Sequence, residues 1–399
     1  MTDVLDLDQS FHADPHSWYR TLRQLGPVHQ VRLDTGQVVW FLLGHAENKQ
    51  ALVDPRLSRD PLRACPAFAA AATGPKGHPV VGRHLLTSDE PEAVRLRRVV
   101  SGAFTRTGVA ALRPRITAVV DGLLDEITSA ARVDLTERFA NPLAGALLCD
   151  LLGIPQLERG AVLGWVRDLV HAGDDLECQI RTTAALVDWL DRFLAYKNRF
   201  PGDDLTSRYL HLTGSEAPPI SREEVPAMVF MLLLAGYQTT ASFLTNAVHT
   251  LLAHPGELAA LRADPSLMDN AIEELARYEG SANFTTVRFT RSPVHLGGRT
   301  IPGDGTPVYL SLAAANRDPA RFPEPDRLDL RRDTSGHLAF GRGSRYCLGA
   351  QLGRLQVRLA LSALLDRFPD LAPAPGPLGW QPGLLFRSLR HLPVVLRAR

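Results

Sequence analysis

A cysteine set among glycines, in the segment 337–356, constrains this chain more than any other feature of its sequence. The segment reads HLAFGRGSRYCLGAQLGRLQ, so Cys347 follows Gly341 and Gly343 and precedes Gly349 and a helix-forming run. This order predicts a thiol at a helix N-terminus, where the helix dipole and free backbone N–H groups stabilise a thiolate. The glycines before it allow a tight turn to approach a flat partner closely. A loop around a buried structural cysteine is the alternative, but spacing this dense favours a functional site.

The rest of the chain predicts a mostly α fold with small β-sheets. Two hairpin patterns pair 28–33 with 37–42 and 294–296 with 299–301, and further strands fit 308–312 and 392–396. Strands and helices do not alternate repeatedly, so a doubly wound sheet is not supported. No linker separates domains, and we expect a single domain over residues 1–399. Long helical patterns cover 92–104, 109–131, 142–152, 157–171, 177–199, 222–253, 265–278 and 348–368.

Composition excludes several classes of protein. The 44 Lys and Arg nearly balance the 43 Asp and Glu, and this net charge of +1 argues against nucleic-acid binding and against disorder. Four cysteines in 399 residues form no disulfide framework, which favours a reducing compartment. The most apolar stretch, 225–236, is too short to span a membrane, and the N-terminus lacks a targeting pattern. We therefore expect a cytoplasmic protein with no membrane or nucleic-acid partner.

At the cysteine segment the sequence resembles the cytochrome P-450 family of haem-thiolate monooxygenases. The family signature F-G-x-G-x-[HR]-x-C-x-G is matched by Phe340, Gly341, Gly343, Arg345, Cys347 and Gly349. The resemblance implies the P-450 fold, with haem b (iron protoporphyrin IX) between a distal and a proximal helix. It also implies that Cys347 is the proximal iron ligand, since a thiolate pushes electron density onto iron and favours O–O cleavage.

Other motifs of the family occur elsewhere in the chain. Glu274 and Arg277 lie three apart on a predicted helix and match E-x-x-R, and Arg327, in the segment 316–330, is expected to complete a structural Glu–Arg–Arg cluster. In isolation a solvated ion pair is the better interpretation of the first two, and the match to the family motif favours the structural cluster instead. The segment 63–82 lacks a clear period and is expected to be a long loop.

The pattern 225–252 resembles the helix that crosses the distal face of the haem. Its centre, 235–240, matches A-G-x-[DE]-T, with Gly236 removing a Cβ where O2 and substrate approach. By resemblance Thr239 hydrogen-bonds dioxygen and holds water for proton delivery, and a local backbone bond of its hydroxyl widens the helix. Leu86, Ala235 and Thr240 are expected beside the haem.

Two positions depart from the family pattern. Gln238 stands where the family usually has a carboxylate, and an amide cannot titrate. We therefore expect proton delivery through Thr239, water or the substrate, with Gln238 orienting water or a substrate group. Ala93 replaces a histidine four residues before Arg97 that contacts a haem propionate in the family. Only Arg97, Arg288 and Arg345 are therefore expected to bind the propionates.

The resemblance places substrate contacts only by region. These regions are 63–87, the helix pair 157–199, 231–240, 281–286 and 384–386. Ser281, Asn283, Thr285 and Thr286 are polar for a pocket wall. They fit either an exposed turn or contacts to a polar substrate.

The function implied is insertion of one oxygen atom from O2 into a small organic molecule, by hydroxylation or epoxidation. The chain is similar to family members that tailor polyketides, macrolides and other specialised metabolites. No flavin or nicotinamide fingerprint is present, so electrons from NAD(P)H are expected through a ferredoxin reductase and a ferredoxin. The ferredoxin is expected at a positive patch of Arg98, Arg342, Arg354 and Arg358.

Three alternatives remain at this point. The first is an oxidative coupling enzyme on the same scaffold, which loss of the acid at Gln238 favours and Thr239 disfavours. The second is a catalytically silent relative that activates a glycosyltransferase, and Cys347 argues against it. The third is a haem-based sensor or binding protein, which would not need Thr239.

Overall fold

The computed structural model of the protein describes residues 4–8, 10–60, 84–172, 175–214 and 219–396. Within these ranges the β-strands are β1 (Leu5–Asp6), β2 (Val28–Arg32), β3 (Val38–Leu42), β4 (Leu57–Ser58), β5 (Arg132–Asp134), β6 (Arg288–Thr290), β7 (Val294–Leu296), β8 (Arg299–Ile301), β9 (Pro307–Leu310), β10 (Ala372–Pro373) and β11 (Pro393–Val395).

Helices make up most of the described chain. They are α1 (Ser10–Ala13), α2 (Pro15–Leu25), α3 (His45–Ala51), α4 (Glu92–Ser101), α5 (Arg106–Ala111), α6 (Arg113–Ile127), α7 (Asn141–Leu152), α8 (Arg159–His171), α9 (Leu176–Arg199), α10 (Leu205–Leu212), α11 (Glu224–Gly236), α12 (Gln238–Ala253), α13 (Pro255–Ala263), α14 (Met268–Glu279), α15 (Leu312–Asn316) and α16 (Ala350–Arg367). Short 3₁₀ turns cover 102–104, 156–158, 265–267 and 343–345, and a π-helical turn covers 136–140.

The strands form three sheets. The largest has the order β1-β2-β3-β9-β6-β4, and the others are β10-β11-β5 and the hairpin β7-β8. In the large sheet β2 and β3 pair antiparallel from Val28–Leu42 to Arg32–Val38, while β3 and β9 run parallel. At its edge β4 pairs antiparallel with β6. Strand β6 lies between β9 and β4 in this sheet and reaches the candidate site at Arg288.

The helices pack around α12, which contacts α7, α14 and α16. The main hydrophobic core surrounds these helices, and two smaller clusters cover the faces of the large sheet. α11 is apolar on nearly every side, as expected of a helix enclosed by its neighbours. α12 also buries most of its residues, including several polar ones. The continuous segment Glu224–Ala253 is long and apolar enough to cross a membrane, but 72% of its most apolar window is buried inside the protein.

Local sequence explains several helix ends near the site. Asp175 caps α9 through a hydrogen bond from the Cys178 backbone, and Asp204 caps α10 through one from Ser207. Gly153 ends α7 at a φ of 71°, with its N–H donating to Asp150 O. This left-handed residue suits glycine because it carries no Cβ.

Most of the predicted elements are confirmed, including both hairpins and the mostly α class with small sheets. The predicted helix 222–253 is interrupted at Tyr237, so it forms two helices, α11 and α12. The predicted helix 109–131 starts earlier, as two helices, α5 and α6. The long loop expected at 63–82 lies outside the described residues.

Candidate active site

A cavity of about 340 Å³ lies between the α11–α12 junction and the segment 339–356 that contains Cys347. Much of its wall is apolar, contributed by Leu85, Leu86, Phe104, Ala144, Leu147, Leu148, Leu151, Met231, Leu232, Phe243, Ala282, Phe284 and Leu312. The site residues predicted from the sequence line it with one exception, Gln238. They are Leu86, Arg97, Ala235, Gly236, Thr239, Thr240, Arg288, Phe340, Gly341, Arg345, Cys347 and Gly349.

The loop that carries Cys347, residues 340–349, is shaped by two left-handed glycines. Gly341 and Gly343 have φ values of 72° and 71°, which L side chains rarely adopt. A Cβ at Gly343 would also lie 2.7 Å from Val53 Cγ1. The loop then closes on itself, since the Cys347 N–H donates to Phe340 O at 2.7 Å, and α16 starts three residues later at Ala350. The predicted placement of the thiol just before a helix is confirmed.

The surroundings of the Cys347 sulfur act on its pKa in opposite directions. Although part of Cys347 is exposed, the protein around its sulfur raises the pKa of the thiol above its ordinary value, and this desolvation outweighs the other effects. The backbone N–H groups of Gly349 and Ala350 and the charges of Arg97 and Arg354 lower the pKa in part. The helix start therefore favours the thiolate, as predicted, but does not by itself produce it. A metal ion bound to the sulfur would produce the thiolate, because a thiol that coordinates a metal is deprotonated.

Glu273, on α14, holds the cysteine loop at both ends, and sequence reasoning missed it. Its carboxylate accepts from Arg354 Nη2 on α16 at 2.7 Å and contacts His337 Nε2, ahead of the loop, at 2.9 Å. Arg354 also lies over the Phe340 ring at 4.1 Å and donates to the Tyr346 hydroxyl. Burial alone would raise the pKa of Glu273, but these partners lower it to about 2. The only sequence signal was an acid next to Glu274 of E-x-x-R.

Three predicted arginines reach the cavity from three different segments. Arg345 donates to Leu85 O at 2.8 Å and to Ser88 O at 2.5 Å. Arg97 donates to Tyr346 O, and Arg288 donates to Thr286 O, each at 2.7 Å. Burial lowers the pKa of all three, and the charge of Arg345 lowers that of Arg288 further, to about 9. This part of the cavity therefore suits anions.

The α11–α12 junction faces the cavity opposite the cysteine loop. At Tyr237 the backbone leaves the helix, with φ −87° and ψ −73°. Thr239 Oγ1 donates to Ala235 O at 2.6 Å, the local backbone bond predicted for it. Because this bond uses the hydroxyl proton, the hydroxyl oxygen of Thr239 is left as an acceptor. A Cβ on Gly236 would meet Leu148 Cδ1 at 3.1 Å, so this glycine also allows α7 to pack closely.

Gln238, predicted in the catalytic site, does not line the cavity. Its side chain is buried. Instead Gln238 Nε2 contacts Ser242 Oγ at 3.1 Å and Ser388 Oγ at 3.0 Å, and the two hydroxyls lie 2.9 Å apart. Successive helix positions point about 100° apart, so Gln238 faces away from the cavity that the next residue, Thr239, lines. Gln238 therefore joins the helix to the C-terminal segment.

The third member of the Glu–Arg–Arg cluster also differs from the prediction. Glu274 and Arg277 form a fully buried pair at 2.7 Å, and Arg332 Nε completes the cluster at 3.2 Å from Glu274. Arg327 is exposed and pairs with Glu324. Arg332 reaches inward because its remaining N–H groups bind backbone carbonyls of the turn 323–327. The error came from a motif that offers several arginines within one turn.

Part of the expected substrate regions lines the cavity. Residues 281, 282 and 284–286 line the cavity, whereas Asn283 is buried and accepts from the Tyr19 hydroxyl at 2.6 Å. The described residues of 157–199 and of 384–386 contribute nothing to the wall. Four residues of α7 take that place, because α7 packs directly on α11. Of 63–87, residues 63–83 lie outside the described part, and Leu85 and Leu86 line the cavity.

Comparison with known proteins gives the same family throughout. The family description Cytochrome P-450 matches residues 198–376. The chain is 40% identical to the cytochrome P-450 monooxygenase PikC of Streptomyces venezuelae, over 98% of this chain and 93% of PikC. It is 38% identical to 6-deoxyerythronolide B hydroxylase of Saccharopolyspora erythraea, over 99% and 100% of the two chains. The tirandamycin C-bound P-450 monooxygenase TamI superposes with a TM-score of 0.92 at 35% identity, over 98% and 100%.

The chain belongs to the cytochrome P-450 family. It is a P-450 monooxygenase, and the family's cofactor is haem b. The family requires O2, an organic substrate and redox partners. The cavity of this P-450 fits the cofactor in its donor chemistry: a thiol faces the cavity from one wall, and arginines that suit two carboxylates lie on another.

Proposed function

We propose that this P-450 holds haem b through Cys347 and inserts one oxygen atom from O2 into a C–H or C=C bond of a small organic molecule. The observation that carries the proposal is the placement of Cys347 and Thr239 on facing elements of one cavity. The haem supplies the oxygen activation when it is bound. Arg97, Arg288 and Arg345 neutralise its carboxylates.

Other residues of the cavity hold a proton, exclude water and bind the substrate. Thr239 accepts a hydrogen bond from a water or substrate hydroxyl and so holds a proton near the reacting atoms, since its own proton is bound to Ala235 O. The apolar side chains of α7 and α11 exclude bulk water and bind an apolar part of the substrate. Ser281, Thr285 and Thr286 offer hydroxyls to polar groups of the substrate.

The relatives support a tailoring step in polyketide, macrolide or other specialised-metabolite biosynthesis. One relative is by its name a 6-deoxyerythronolide B hydroxylase, and TamI was solved with tirandamycin C. A relative of the same 38% identity is a vitamin D(3) 25-hydroxylase, so identity at this level does not fix the substrate. We further propose a cytoplasmic enzyme that receives electrons from NAD(P)H through a ferredoxin reductase and a ferredoxin.

Oxidative coupling without oxygen insertion is the second candidate. A relative with a TM-score of 0.90 and 33% identity is described as an enzyme for C–S bond formation. The sequence argument for coupling was the missing acid at Gln238, and it weakens because that side chain lies outside the cavity. Thr239 in the cavity favours oxygen insertion.

A substrate screen followed by isotope labelling tests the proposal. Compounds that shift the spin state of the ferric enzyme are first selected. They are then incubated with the enzyme and a ferredoxin system under ¹⁸O2, and the mass of the product is measured by mass spectrometry. We expect one ¹⁸O atom per product and a carbon monoxide difference spectrum with the red-shifted Soret band of a thiolate. A product that contains a new bond between two substrate groups but no ¹⁸O would show that the enzyme catalyses oxidative coupling instead. Cys347→Ala, which removes the thiolate, should lose both the spectrum and the product.

A further inference from the structure

A fourth arginine, Arg59, lies in the cavity directly across from Arg288. Strand β4 pairs antiparallel with β6, matching Leu57 to Thr290 and Ser58 to Phe289. The next position in this register places Arg59 opposite Arg288. Directly opposed residues of an antiparallel pair project from the same face, and both side chains line the cavity.

Two like charges at opposed positions destabilise a sheet unless something compensates them. Here burial lowers the pKa of Arg59 to about 8, and the charges of Arg288 and Arg345 contribute to the shift. The nearby carboxylates are already engaged. Asp89 pairs with Arg291 at 2.7 Å and also accepts from the Arg59 backbone N–H, and Glu90 accepts from Ser344.

Among the described residues, the four arginines of the cavity differ in whether their guanidinium groups already donate hydrogen bonds. Arg345, Arg97 and Arg288 all donate to backbone carbonyls. The guanidinium of Arg59 donates to none of the residues that the structure describes. Its planar fork therefore offers two parallel N–H groups, the arrangement that suits a carboxylate.

We infer that Arg59 binds a carboxylate of the haem together with Arg288, in place of the histidine that the family pattern has at Ala93. Ala93 is buried and carries no donor, and it lies one helical turn from Arg97 on α4. Arg345, one of the arginines beside Arg59, belongs to the cysteine loop, and Arg97 joins that loop by donating to Tyr346 O. The inference rests on the proposed haem site. A carboxylate of the substrate has the same chemistry, and the experiment separates the two sources.

The test compares the holoenzymes of wild type, Arg59→Gln, Arg59→Lys and Arg56→Gln. Arg56 is the matched control, because it lies three residues away, pairs with Asp54 and does not line the cavity. Haem transfer to excess apomyoglobin gives the rate of haem loss, and resonance Raman spectra report the bending bands of the haem propionates. We expect Arg59→Gln to lose haem roughly 10- to 100-fold faster than wild type, because the variant lacks one charged hydrogen bond to the haem. The propionate bands should shift in that variant, less in Arg59→Lys and not in Arg56→Gln.

Unchanged haem loss and unchanged propionate bands in Arg59→Gln overturn the inference. If myristate, titrated by the spin-state shift, then binds that variant more weakly than wild type, Arg59 serves a substrate carboxylate instead. If Arg59→Gln does not yield holoenzyme, the Arg59→Lys spectra and rates decide, because this variant keeps the charge. Failure of the proposed function looks different: the wild type itself then shows no haem-thiolate spectrum.

Discussion

At the residue scale, Gln238 shows that a residue can match a motif without its side chain lying in the site that the motif forms. The motif places it beside Thr239, yet its side chain lies in a buried cluster with Ser242 and Ser388. Restoring the family's acid should therefore not restore a proton donor at the site. The change would only bury a carboxylate outside the cavity.

We expect Gln238→Glu to lower the stability of the holoenzyme by about 1–3 kcal/mol near neutral pH, the cost of burying a poorly compensated polar group. The ratio of product to NAD(P)H consumed should stay at the wild-type value. Ser388→Ala, which removes the same contact from the other side, should behave alike with a smaller loss. Unfolding in urea and product analysis measure the two effects. A changed ratio with unchanged stability would return Gln238 to the catalytic site.

For Thr239 we expect a loss of activity instead, because this residue lines the cavity and its hydroxyl oxygen is left as an acceptor. Thr239→Ala should reduce product formation by roughly 100-fold, the usual scale of a lost proton-transfer group. NAD(P)H consumption should continue and appear as hydrogen peroxide. Thr239→Ser keeps the hydroxyl and should recover most of the product. Quantifying peroxide and product together checks this, and full coupling in the alanine variant would assign proton delivery to the substrate.

At the element scale, periodicity predicted most helices and strands but not how they bend. Both hairpins were found because turn residues sit between short apolar runs. The break at Tyr237 was missed, since an apolar run of this length carries no local stop signal and the bend becomes visible only in three dimensions. Thr239 lines the cavity from the first turn after this break, whereas Gln238 does not.

The site was predictable where chemistry and spacing are both encoded locally, as in the cysteine loop. Contacts that depend on distant segments were not. Arg59 reaches the cavity through the register of β4 with β6, and Arg332 rather than Arg327 reaches Glu274 through a turn. The residues of α7 enter the wall because α7 packs on α11. None of these placements leaves a periodic signal in the sequence.

Glu273 links three elements, and its pKa makes that link sensitive to acid. The pKa of about 2 lies below the ordinary value of 4.5, so folding favours the ionised form. The stabilisation is complete above about pH 5 and is lost as the pH falls through 4.5 towards 2. Glu273→Gln should lower the free energy of unfolding by about 1–3 kcal/mol near neutral pH.

The difference between Glu273→Gln and wild type should shrink as the pH falls towards 3, because wild type then loses the same charge. Urea unfolding followed at the haem band, at several pH values, measures it. Asp269→Asn is the control, since Asp269 also pairs with an arginine of α16 but is 71% exposed. Exposed pairs contribute little. An equal loss in both variants would show that Glu273 has no special role in holding the cysteine loop.

At the scale of the whole molecule, the large helical core and the two clusters on the sheet surround one cavity. The expectation of a single domain over 1–399 stays a prediction. The outer surface near the cysteine loop is less positive than its sequence suggested. Arg354 is held by Glu273, and Arg358 pairs with Asp269 at 2.8 Å. Arg98 and Arg342 are exposed and form no salt bridge within the described part of the chain.

The expected docking of an acidic ferredoxin therefore depends on Arg98 and Arg342. Reversing both charges, in Arg98→Glu/Arg342→Glu, should slow reduction by ferredoxin roughly tenfold or more at low salt, because steering raises association rates by 10–10³-fold. The defect should fade as ionic strength rises, since the screening length falls from about 30 Å at 0.01 M to about 3 Å at 1 M. Arg358→Gln/Asp269→Asn, which removes both members of a compensated pair and leaves the net charge unchanged, should leave the rate near wild type. Stopped-flow reduction across a salt series measures all three proteins, and a double variant with the wild-type salt dependence would place the docking surface elsewhere.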